Sequence, residues 1–70
     1  MTYLQKIILE LIRENKTTIP RLAFQLSVNE QKVRSWLNGK AVPEYYDIKL
    51  LADIFEVSVD MLLDTPYKEE

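Results

Sequence analysis

The chain predicts an all-α domain of five short helices. Three observations carry this: apolar residues recur at helical spacing in successive segments, capping residues stand before several of them, and no repeat, low-complexity tract or linker divides the 70 residues. A domain this small buries only about 60% of the surface its unfolded chain exposes, so its apolar side chains are needed inside. There is no cysteine, hence neither disulfides nor thiolate metal sites, and stability must come from well packed helices.

Taken in order, Leu4, Ile7, Ile8, Leu11 and Ile12 predict a first amphipathic helix over 2–14, its apolar arc inward. Asn15-Lys16-Thr17 ends it. Thr18 caps a second helix, and Pro20 suits a first turn because the N–H it lacks would have had no partner there. Ile19, Leu22, Ala23 and Leu26 form the buried stripe of that helix. Ser27-Val28-Asn29 is a tight connector in which Asn29 caps a third helix over 30–38, with Val33, Trp36 and Leu37 inward. Gly39 closes it, free to take positive φ. Beyond the "KAVP" loop, Pro43 permits a fourth helix at 44–56, with Ile48, Leu51, Ala52 and Phe55 at i, i+3, i+4 and i+7. Ser58 caps a last short helix, where Asp60 suits the positive end of the dipole and Leu62 and Leu63 point inward. The domain is expected over 1–66, with residues 67–70 a frayed acidic tail.

The net charge of −2 is unevenly spread. Residues 13–40 hold six cations against two carboxylates, net +4, whereas residues 41–70 hold two cations against eight carboxylates, net −6. No apolar run approaches the roughly 20 residues of a membrane span, and Lys6 inside an amphipathic pattern does not suit a cleaved signal. A cytoplasmic protein is expected. With no histidine, no cysteine and a single glycine, the chain lacks the usual acid–base groups, thiol nucleophile and phosphate loop of an enzyme. Neither a cofactor nor a metal is expected, since Asp60 and Asp64 at i and i+4 serve a helix start and solvent better than a cation.

Two short helices joined by three residues, the second with a polar outward side, form the helix-turn-helix pattern. The ordered string "LAFQLSVNEQKVRSWLNGKAVP…LLADIFEVSVDMLL" resembles the Cro and lambda-repressor-like family, also called XRE, across most of the chain. The matching positions are Leu22-Ala23, Leu26, Val28, Val33, Trp36, Gly39-Lys40, Pro43, Leu51-Ala52, Val57-Ser58-Val59-Asp60 and Leu62-Leu63. The resemblance implies a five-helix lambda-repressor-like bundle acting as a small phage or prophage regulator, its third helix in the major groove of operator DNA. Three departures stand out. Ser27 replaces the connector glycine; Ile19 replaces the phosphate-clasping glutamine; Ile12 and Leu37 replace a buried arginine–glutamate pair, an exchange that can be neutral or stabilising.

On this resemblance Asn29, Glu30, Gln31, Lys32, Arg34 and Ser35 are candidate base readers. Gln31 suits adenine N6 and N7, Arg34 suits guanine O6 and N7, and Glu30 suits cytosine N4. Thr17, Thr18, Asn38, Lys40 and Tyr45 are candidates for phosphate contacts, which position without reading sequence. A plainer role stands beside this one: Glu30 and Arg34, four apart, suit a surface helix pair worth about 0.2 to 0.5 kcal/mol. Val33 and Trp36 are core positions.

A protein partner is the competing reading. Leu9, Phe24, Leu50 and Met61 fall where the family pattern faces solvent, and Ile54 lies on the same side of its helix as Leu50. These residues form candidate contact patches. One use is a two-fold homodimer reading two half-sites about one DNA turn apart. The other is capture of a partner repressor, with the chain acting as an antirepressor or modulator and its acidic half facing a basic partner.

Overall fold

The computed structural model describes residues 2–63, which form helices α1 (Tyr3–Glu14), α2 (Ile19–Leu26), α3 (Glu30–Leu37), α4 (Tyr45–Phe55) and α5 (Val59–Leu63). The expected all-α bundle of five helices is what these residues form. Asp64, Pro66 and the tail at 67–70 lie outside the described residues.

Each helix starts on a side-chain acceptor. Thr2 Oγ1 accepts from the Gln5 backbone N–H at 3.2 Å while Gln5 Oε1 accepts from the Thr2 N–H at 2.6 Å, a reciprocal box that moves the start of α1 from residue 2 to Tyr3. Thr18 accepts from Arg21 N–H, Asn29 from Lys32 N–H and Ser58 from Met61 N–H, as their positions predict. At α4 the acceptor is Asp47, whose Oδ2 takes the Glu44 N–H at 3.0 Å. Helices α3 and α4 are each shorter than expected, because Asn38, Glu44 and Glu56 are caps rather than helical residues.

The helix ends share one device. After Lys16, Ser27, Glu56 and Gly39 the next N–H reaches back five residues: Thr17 to Ile12, Val28 to Ala23, Val57 to Ala52 and Lys40 to Ser35. All four turning residues have positive φ, although only one of them is glycine. The glycine stands where a side chain would crowd Gln5. A Cβ on Gly39 would lie 2.9 Å from Gln5 Nε2, the amide that donates to the Leu37 carbonyl at 3.3 Å and ties the start of α1 to the end of α3.

Every helix sends at least one side chain fully inside: Ile8, Leu22, Val33, Ile48 with Leu51, and Leu62. Trp36 is 2% exposed and completes the same core. Leu4, Ile19, Leu37 and Leu63 are half-buried and cover its rim. The Tyr3 hydroxyl donates to the Met61 carbonyl at 2.6 Å, which joins α1 to α5. Helix α3, only eight residues long, is too short to persist alone, so Val33 and Trp36 hold it helical by docking it on the rest.

Two outcomes follow for stability. Trp36→Ala should cost about 3 to 5 kcal/mol, a large share of the roughly 4 to 10 kcal/mol available to a chain of this size, and urea unfolding would measure it. Gly39→Ala should destabilise by about 1 to 2 kcal/mol, whereas Glu56→Gly should stabilise by up to about 1 kcal/mol, since only the second relieves a left-handed Cβ. Equal effects of the two in thermal unfolding would refute this account of the helix ends.

Candidate nucleic-acid interface

Helices α2 and α3 pack on one another across the three-residue connector 27–29. Ser27 makes the turn in the left-handed region at φ 61, so a serine occupies the conformation for which glycine is the cheaper residue. Asn29 then opens α3, and the burial of Val33 and Trp36 turns Gln31, Lys32 and Arg34 outward, with Asn38 exposed at the helix end. The outward side therefore owes its polarity to the sequence and its rigidity to the core beneath.

Local bonds divide the candidate base readers. Asn29 Oδ1 is committed to the Lys32 N–H at 2.9 Å. Arg34 Nη2 meets Glu30 Oε1 at 3.3 Å, with both side chains about half exposed, so this pair is the weak surface kind that opens at little cost. Ser35 is half-buried and its hydroxyl donates to the Lys32 carbonyl at 2.7 Å, which turns it along the helix. Lys32 Nζ lies 3.9 Å from Asp47 Oδ1 on α4. Gln31 is exposed, and its side-chain amide makes no hydrogen bond among the described residues.

The candidate phosphate contacts divide in the same way. The Thr18 hydroxyl is held as the α2 cap. Thr17 Oγ1 is buried, with no hydrogen-bond partner among the described residues, and so faces the protein rather than solvent. Asn38 Oδ1 accepts from the Lys40 N–H at 3.0 Å, which orders the turn after α3 and leaves the Lys40 side chain exposed. Tyr45 is exposed at the start of α4, with Lys49 Nζ 5.8 Å from its ring centroid. Thus Gln31, Arg34, Lys40 and Tyr45 remain open to a partner, while Thr17 does not.

Sequence reading missed two residues that build this face. Gln5 stands three after Thr2, the spacing of a capping box, so its role in α1 was legible, but its bond to α3 depends on the tertiary fold. Asp47 is 4% exposed, a buried carboxylate on an otherwise exposed helix start. Its position three after Glu44 was the only hint.

The apolar candidates differ in exposure. Leu50 and Ile54 are half-buried and pack against the core with part of their surface open, so the α4 stripe is wider than the four positions assigned to it. Leu9 is half-buried. Phe24, 83% exposed, and Met61 remain on the surface, joined by Val42 and Tyr46. Among the described residues no group of three or more acidic, histidine or cysteine side chains could hold a metal, and no helix is long and apolar enough to cross a membrane. Compared with protein-family models, curated proteins and solved structures, the chain matches none, so its functional reading rests on this face.

Proposed function

We propose that the chain is a small cytoplasmic transcriptional regulator of phage or prophage type that lays α3 in the major groove of operator DNA, as its resemblance to the Cro and lambda-repressor-like family implies. One observation carries the reading. The face of α3 opposite Val33 and Trp36 keeps Gln31 and Arg34 exposed, with Lys40 just beyond, within the segment of net charge +4. Lys40 and Tyr45 flank α3 and suit phosphate; Gln31 suits an adenine edge; Arg34 exchanges Glu30 for guanine or phosphate. A two-fold pair of chains would present two such helices about one DNA turn apart.

A residue-resolved amide NMR titration with a mixed pool of short duplexes at low salt tests this directly. Shifts concentrated on residues 17–21 and 29–45, reversed by added salt, are expected, and their absence would end the DNA reading. Arg34→Ala combined with Lys40→Ala should weaken binding and flatten the log–log salt dependence by about 0.9 for each phosphate no longer neutralised. An unchanged slope would remove both residues from the interface.

Phe24 favours a second reading, in which the chain is an antirepressor or modulator that binds a partner repressor. A phenylalanine 83% exposed on a domain with so little surface is the type of anchor that dominates protein interfaces. On that reading Phe24→Ala should abolish the hetero-complex in a pull-down while circular dichroism stays native. Retained capture would clear Phe24 of the role.

A further inference from the structure

Lys32 on the outward side of α3 lies against Asp47 in the first turn of α4. Asp47 is almost wholly buried; one of its oxygens accepts the Glu44 N–H at 3.0 Å, and the other lies 3.9 Å from Lys32 Nζ. The Lys32 side chain is 47% exposed, so it has room to leave. The contrast with the neighbouring pair is physical. When Arg34 leaves Glu30 it abandons a carboxylate that water solvates, but when Lys32 leaves, Asp47 keeps the Glu44 N–H and loses a neighbouring cation where burial limits replacement by water.

We propose that Asp47 is a positioning residue that withholds Lys32 from DNA, so that Lys32 adds to phosphate attraction only when this pair opens. The inference rests on the DNA reading above and deepens it. It divides the basic groups of the face into those engaged at once, Arg34 and Lys40, and one held in reserve. Because the same carboxylate caps α4, it also couples α3 to the turn that carries Tyr45. A phosphate that draws Lys32 away therefore acts on both elements.

The test is a cycle of four chains: native, Asp47→Asn, Lys32→Met and the double variant. Asparagine keeps an acceptor for the Glu44 N–H, and circular dichroism checks that each chain is folded. Binding to a short labelled duplex of mixed sequence is followed by fluorescence anisotropy across a salt series. Asp47→Asn should tighten binding and steepen the log–log slope by about 0.9, the value of one further phosphate neutralised. Lys32→Met should leave the native slope unchanged and should cancel the gain in the Asp47→Asn background. A slope flattened equally by Lys32→Met in both backgrounds would overturn the proposal while leaving DNA binding in place, and so would an Asp47→Asn gain that survives Lys32→Met. Failure of both the native and the Asp47→Asn chains to bind at low salt would overturn the DNA reading itself. Binding by Asp47→Asn alone would support the restraint in its strongest form. Thermal unfolding of the same chains examines the pair without DNA: shifts in Tm that simply add would show that no tether exists.

Discussion

The docking of Val33 and Trp36 into the core is the interaction on which the rest of this molecule depends. Helix α3 has eight residues and is mostly polar, so neither its length nor its composition would keep it folded. Its two buried side chains supply what propensity cannot. Once they are inside, the helical repeat leaves no choice about the other residues: Gln31 and Arg34 must point away from the core, and the outward face is fixed as a rigid polar surface rather than a mobile loop. A base-reading element needs this rigidity, since side chains that must find bonding groups on base edges lose less freedom when their backbone is already ordered.

The same economy governs the helix ends. With one glycine in the chain, three of the four left-handed turns among the described residues fall to lysine, serine and glutamate, each carrying a Cβ into a region that disfavours it. The single glycine stands where α3 meets α1, because Gln5 occupies the space a side chain would need. Stability is thus given up at three surface turns and protected at the one turn that sets where α3 ends and the Lys40 loop begins.

Polar groups on the candidate face are unequal for a related reason. Exposed partners exchange readily, as Arg34 and Glu30 can, because water replaces whatever each one loses. Buried acceptors do not release their partners so easily, and the proposed restraint of Lys32 by Asp47 rests on that difference. On the proposed DNA reading, the chain's charge pattern, positive across α2 and α3 and negative beyond, would overstate the cations ready to meet a phosphate. Burial would determine which of them are.

By itself the sequence determined the number of helices, their order and most of their caps, because these follow from local periodicity and from side chains bonding within three residues of themselves. Thr18, Asn29, Ser58 and Gly39 all act as their positions predict. It also determined that α3 carries a polar outward side over Val33 and Trp36. Only the tertiary structure decided how the candidate residues are placed: that Thr17 turns its hydroxyl inward, that Leu50 and Ile54 pack on the core rim, and that Lys32 lies near a carboxylate fifteen positions along the chain. Those outcomes depend on contacts between helices, and the spacing of residues along one helix holds no record of what packs against it.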